Sequence, residues 1–128
     1  MKTLTAKRVP FYFLFLAFFF AAQTSFADKS SVTISAPETA AKGSEVSVKL
    51  TITHSANSYF HYTNWVSLKV NGKEFSRWEF TSNKRPEEAV FIREVKIPVN
   101  EPMELIAEAN CNIHGSAGPA KWKITIKE

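Results

Sequence analysis

The chain has a single cysteine in 128 residues, with only three histidines and four glycines. One cysteine cannot close an intramolecular disulfide, so this domain is held together by its core and not by a covalent staple. The few glycines form no Gly-rich phosphate loop. Beyond residue 27 no apolar stretch approaches the roughly 20 residues that a spanning helix needs. Ser55, Ser58 and His61 have no acid placed to complete a hydrolase triad. No internal repeat, low-complexity tract or second domain is visible after the N-terminal segment.

That N-terminal segment reads as a secretory leader. Lys2, Lys7 and Arg8 make a basic start without acids, Phe11 to Ala22 is an apolar run with six phenylalanines, and Ser25-Phe26-Ala27 offers small residues for cleavage. The apolar run is too short for a mature membrane helix. The expectation is cleavage after Ala27 and a periplasmic or secreted domain spanning 28–128, with an uncleaved anchor as the other option. Of the 16 lysines and arginines, three lie in the leader, which leaves 13 against 12 acids. The mature domain is therefore close to neutral, and the precursor's basic pI is no argument for nucleic acid binding. No stable membrane association is expected after cleavage, and a homo-oligomer is left open.

All the soft and borderline metal ligands fall in two short segments. His54 and His61 share His-Ser-Ala-Asn-Ser-Tyr-Phe-His-Tyr, and Cys111 and His114 share Cys-Asn-Ile-His-Gly. A mononuclear site built from imidazole and thiolate needs this kind of clustering. A lone cysteine in an oxidising compartment is a liability unless buried, paired with another chain or metal-bound, and the Cys-x-x-His context favours metal.

Between these segments the pattern is that of strands. Glu45 to Thr53 alternates with Val46, Val48, Leu50 and Ile52 on one face, the period of a half-buried strand. Tyr62 to Val70 is followed by Asn71-Gly72, a strong hairpin signal, and a return strand over Lys73 to Phe80. Ala89 to Pro98 pairs Val90 and Ile92 with Val95 and Ile97 across a phase slip near Arg93-Glu94, which predicts a bulge. Val32 to Ile34, Met103 to Ala109 and Lys121 to Lys127 complete about seven strands, with Trp122, Ile124 and Ile126 on one face of the last. The expected fold is an all-β, immunoglobulin-like seven-stranded sandwich, with both ligand segments on loops. The charged run Lys84 to Glu88 reads as a solvated loop, and Tyr59, Phe60 and Tyr62 read as packing beside the metal loop.

Cys111-Asn112-Ile113-His114-Gly115, together with His61-Tyr62-Thr63-Asn64-Trp65-Val66 and the hairpin after it, resembles the desulfoferrodoxin/neelaredoxin family, the superoxide reductases. The likeness runs from about His54 to Glu128. It implies a mononuclear iron held by equatorial histidines and an axial cysteine thiolate, with an open position for superoxide. It further implies Cys111 as the axial ligand and His54, His61 and His114 as equatorial ones. An axial thiolate pushes electron density onto the iron and helps expel product. The resemblance also implies an external electron donor, since no second redox centre and no four-cysteine rubredoxin-like module is present.

The chain departs from the family pattern in places. The family's fourth histidine, from a Glu-Lys-His-Val-Pro segment, has no counterpart; Asp28-Lys29-Ser30-Ser31 is the nearest remnant, with Ser30 at the histidine. On that alignment Lys29 matches the lysine that attracts superoxide, and Lys121 is the other candidate cation. The His54 to His61 spacing is one residue longer than usual, and Ser116-Ala117 replace a tryptophan. Copper in a two-His, one-Cys electron-transfer site, a structural zinc bound by three His and one Cys, and a binding module with a vestigial site are the other readings.

Overall fold

The computed structural model describes residues 28–128; the expected leader, to Ala27, lies outside the described residues. Eight strands follow in order: β1 (Ser31–Ser35), β2 (Thr39–Ala41), β3 (Ser44–Thr53), β4 (Thr63–Val70), β5 (Lys73–Glu79), β6 (Val90–Val99), β7 (Met103–Cys111) and β8 (Ala120–Lys127). They form two sheets, one ordered β1-β3-β6 and the other β2-β8-β7-β4-β5. The all-β sandwich expected from the alternation is present. The additional strand is β2, three residues paired parallel to β8. Thr39-Ala40-Ala41 is too short and too poor in β-branched residues to signal a strand by itself; its pairing with the last strand creates it.

Period-two burial fixes both sheet faces. Val46, Val48, Leu50 and Ile52 of β3 are buried, as are Met103, Leu105, Ala107 and Ala109 of β7, Val66 and Leu68 of β4, and Ile124 of β8. These side chains form one apolar cluster, with Trp78, Trp122 and Ile126 packed against it. Leu50, Leu68, Leu105 and Ile124 are wholly shielded, so this cluster carries most of the burial free energy.

The Asn71-Gly72 turn is as expected. Both residues have positive φ, 50° and 82°, and Val70 pairs with Lys73 across it. This is the backbone twist that suits a two-residue hairpin. The expected bulge near Arg93-Glu94 is absent. β3 and β6 pair without a register shift from Ser44↔Val99 to Thr53↔Val90. The inward phase of β6 runs through Phe91, Arg93, Val95, Ile97 and Val99, so Val90 and Ile92 point outward and are exposed. The apparent slip arises because Arg93 occupies an inward position. Its guanidinium lies over the Phe80 and Phe91 rings and pairs with Glu87, so a charged residue serves where an aliphatic one would be expected. Register shifts occur instead in β4, at Leu68/Lys69 against β5 and at Thr63/Trp65 against β7. Pro98 lies within β6, which is an edge strand, where a missing N–H is tolerated.

Candidate metal centre

Two candidate ligands are placed by strand phase alone. On β3 the buried series Val46, Val48, Leu50, Ile52 continues one step beyond the strand to His54, which is 3% exposed. On β7 the series Leu105, Ala107, Ala109 continues to Cys111, 1% exposed. The two strands belong to different sheets, and their inward faces end at the same end of the sandwich. An imidazole and a thiol thereby meet where the apolar core stops.

The other two candidate ligands are brought in by turns. Cys111 and Gly115 exchange backbone hydrogen bonds, N–H to carbonyl at 2.9 and 3.0 Å. Gly115 takes φ +84°, a conformation that costs a side-chain-bearing residue strain. Inside this turn the His114 amide N–H points at Cys111 Sγ, 3.4 Å away. In the other loop His61 N donates to the Ser58 carbonyl and Ser58 N to that of His61. Asn57 closes that loop, its Oδ1 accepting from the Thr63 amide at 2.8 Å and its Nδ2 donating to the Glu88 carbonyl at 2.7 Å.

Asn112 then joins the two loops. Its Oδ1 accepts from Tyr62 N at 3.0 Å, its Nδ2 donates to the Phe60 carbonyl at 3.1 Å, and its own N–H donates to the Tyr62 carbonyl at 3.0 Å. His114 Nδ1 consequently sits 3.0 Å from His61 Nε2 and 3.9 Å from Cys111 Sγ. The rings of His54, His61 and His114 stack edge to face in sequence, with centroids 4.6 and 4.8 Å apart. Donor atoms of His54, His61 and Cys111 lie within 4.8 Å of one another, and so do those of Asp28, His61 and His114.

The donor chemistry fits a borderline transition metal: imidazole nitrogens and one thiol converge without a lysine or arginine between them. The cluster is asymmetric. Cys111 and His54 are buried, His61 is half-buried and the His114 side chain is 41% exposed. One side therefore faces the core and the other faces solvent. His54 has a further feature. Both ring nitrogens face oxygen acceptors, Nδ1 the Asn57 Oδ1 at 3.2 Å and Nε2 the Asp28 carbonyl at 3.1 Å. A neutral ring has one N–H for two acceptors.

The first of the described residues are stitched to this cluster. Ser30 N donates to the Gly115 carbonyl, Ala117 N donates to the Ser30 carbonyl, and Ser30 Oγ bonds Thr63 Oγ1 at 2.7 Å. Ser30 is fully buried and its hydroxyl is engaged with Thr63. Lys29 is exposed between Asp28 and Ser30. Lys121, the other candidate cation, lines a shallow groove with Glu38, Trp122 and Thr125 along β8. Asp28, Asn57 and Asn112 were not legible as site residues. Only the position of Asn112 inside Cys-x-x-His hinted at its part.

Tyr59 and Phe60 on one loop and Ile113 on the other are exposed beside the cluster. Among the described residues no helix is long and apolar enough to cross a membrane.

A family model described as desulfoferrodoxin matches residues 22–118. No match is found among curated proteins. Solved structures similar to this chain include the superoxide reductase (neelaredoxin) of Ignicoccus hospitalis, at 21% identity over 77% of this chain and 82% of that one, with a TM-score of 0.64. The superoxide reductase (neelaredoxin) of Archaeoglobus fulgidus in the reduced form is similar at 19% identity over 74% and 89%, with a TM-score of 0.55. A CARDB domain from Pyrococcus furiosus, in complex with di-metal ions, shares the fold at 10% identity over 77% and 87%, with a TM-score of 0.56. The sandwich alone thus does not specify the chemistry.

Proposed function

The chain belongs to the desulfoferrodoxin family, and from that premise we propose that it is an exported mononuclear iron protein that reduces superoxide to hydrogen peroxide. The observation that carries this reading is the convergence of His61 Nε2, His114 Nδ1 and Cys111 Sγ, with the first two 3.0 Å apart and the thiol 3.9 Å from His114. The structures of similar proteins named as superoxide reductases support the choice of substrate. His54, His61, His114 and Cys111 would hold the metal. Bound iron would supply one-electron chemistry and a place for a small anion to bind.

The chain's own residues do the rest. Cys111 and His54 close the inner side against water. His114, on the exposed side, leaves an approach for superoxide, and Lys29 supplies positive charge close to that approach. Superoxide takes up one electron and two protons to give peroxide. With one cysteine and no second redox cluster, the chain must receive that electron from an external donor protein. The leader-like N-terminus supports a periplasmic or extracellular setting for this reaction.

The test is anaerobic loading of the apoprotein with ferrous iron, followed by a pulse of superoxide. One iron oxidised per superoxide consumed, with peroxide formed and no oxygen evolved, supports a reductase. Oxygen evolution would point to dismutation instead. Failure to bind iron, with tight binding of copper or zinc, would mean that the fold has been kept for other chemistry.

A further inference from the structure

Among the three histidines, His54 is the one whose two ring nitrogens both meet oxygen acceptors. Nδ1 faces the Asn57 Oδ1 at 3.2 Å and Nε2 faces the Asp28 carbonyl at 3.1 Å. His61 and His114 instead turn Nε2 and Nδ1 toward each other. A neutral imidazole carries one ring proton, and the nitrogen without it is the one that can donate to a metal. Which His54 nitrogen keeps the proton therefore depends on which neighbouring oxygen is the more firmly placed.

Asn57 cannot turn away. Its Oδ1 accepts the amide N–H of Thr63 at 2.8 Å, and Thr63 is fully buried. Its Nδ2 donates to the Glu88 carbonyl at 2.7 Å. Exchanging the two atoms would set Nδ2 against the Thr63 N–H and Oδ1 against the Glu88 carbonyl, losing both bonds. Glu88 is itself held by its neighbours on either side. The Ala89 carbonyl accepts from the His54 amide at 2.9 Å, and both Glu87 carboxylate oxygens accept from Arg93 at 2.9 Å. The oxygen facing Nδ1 thus has a fixed place, and its second lone pair takes a hydrogen bond without giving up the first. The Asp28 carbonyl lies on a segment tied two residues on, by the Ser30 to Gly115 bond. Of the two acceptors, Asn57 is the one anchored through its own side chain.

We propose that Asn57 is a positioning residue for the metal centre: its side-chain oxygen keeps the His54 proton on Nδ1 and so presents Nε2 as the donor nitrogen. The proposal rests on the mononuclear site argued above. An outer hydrogen bond of this kind fixes both the tautomer and the plane of a ligating ring. Asn57 reaches Thr63 at the start of β4 and Glu88 just ahead of β6. These strands belong to different sheets, so the His54 ring is set by both.

The test uses residues 28–128, which hold all eight strands and the core, with histidine rings labelled with nitrogen-15. At about pH 8, where an ordinary imidazole is neutral, long-range nitrogen–proton spectra of the metal-free protein should show the His54 proton on Nδ1. Zinc, which is diamagnetic, should move the Nε2 resonance and leave the Nδ1 proton in place. Asn57→Ala should let the proton move to Nε2, toward Asp28. It should also weaken ferrous iron binding, measured anaerobically against a chromophoric chelator, by roughly 10–100-fold. Asn57→Asp keeps an oxygen for His54 and Thr63 and gives up only the Glu88 bond, so it should retain the Nδ1 tautomer and recover most of the affinity. A proton on Nε2 in the parent would overturn the proposal, and that measurement needs no variant to fold. So would an Nδ1 tautomer that Asn57→Ala leaves unchanged. Equal affinity losses for Asn57→Ala and Asn57→Asp would also overturn it, since they would mark a general loosening of the loop. A parent with the proton on Nδ1 whose histidines respond to neither metal would instead overturn the metal site and leave the Asn57 contact standing.

Discussion

His61 and His114 are 53 residues apart in sequence, yet Nε2 of one lies 3.0 Å from Nδ1 of the other. The contact is possible because Asn112 pins the Tyr62 and Phe60 backbone to the Cys111 turn through three hydrogen bonds. Two imidazole nitrogens at this separation lie close enough to face a common ion.

Metal binding should therefore depend on both loops. The mature protein should hold about one transition metal ion per chain, and Cys111→Ser or His61→Ala should lower that to a small fraction by elemental analysis. Stoichiometric metal in both variants would sink the assignment.

Asn112→Ala removes the side-chain latch but no ligand. It should leave the sandwich folded, with a stability loss of about 0.5–1.5 kcal/mol, because the freed Tyr62 amide and Phe60 carbonyl are open to solvent. It should also weaken metal affinity by roughly 10–100-fold, the usual cost of disturbing groups that orient ligands. Chelator competition and thermal melting together check this. Unchanged affinity would mean that the loops hold their positions without the latch.

The core should be sensitive in the ordinary way. Leu68→Ala empties a fully shielded position between the sheets and should cost about 2–5 kcal/mol by urea denaturation. A loss well below this range would mean that the neighbouring side chains collapse into the space.

Glu87 and Arg93 give a pH-dependent contribution. The Arg93 hydrogen bond holds the Glu87 carboxyl below its ordinary value. A depressed acid stabilises the fold at pH values above its unfolded-state pKa, and this contribution is lost as pH falls through the lower folded-state value. The pair is largely solvent-exposed, so Glu87→Gln should cost no more than about 1 kcal/mol at neutral pH and almost nothing once the acid is protonated. Arg93→Ala should cost more, because it also uncovers Phe80 and Phe91. Equal losses for the two variants would show that the ion pair, and not the ring packing, is what Arg93 contributes.

The sequence by itself determined the strands with a clean period and pointed to four candidate soft ligands. Alternation through Val46 to Ile52 and Met103 to Ala109 leaves one face for the core, and Asn71-Gly72 permits one kind of turn. Clustering of His54, His61, Cys111 and His114 into two segments singled them out as a candidate metal site because few other uses gather these residue types. The tertiary structure decided what local pattern does not encode. The short strand β2 exists only through its parallel partner β8. Arg93 keeps the inward phase of β6 because aromatic rings from two parts of the chain lie under its guanidinium, which a one-strand pattern reads as a slip. Asp28 enters the site because backbone hydrogen bonds from Ser30 reach residues 115 and 117. Each of these depends on contacts between residues distant in sequence, and periodicity reports only which face of its own strand a residue occupies.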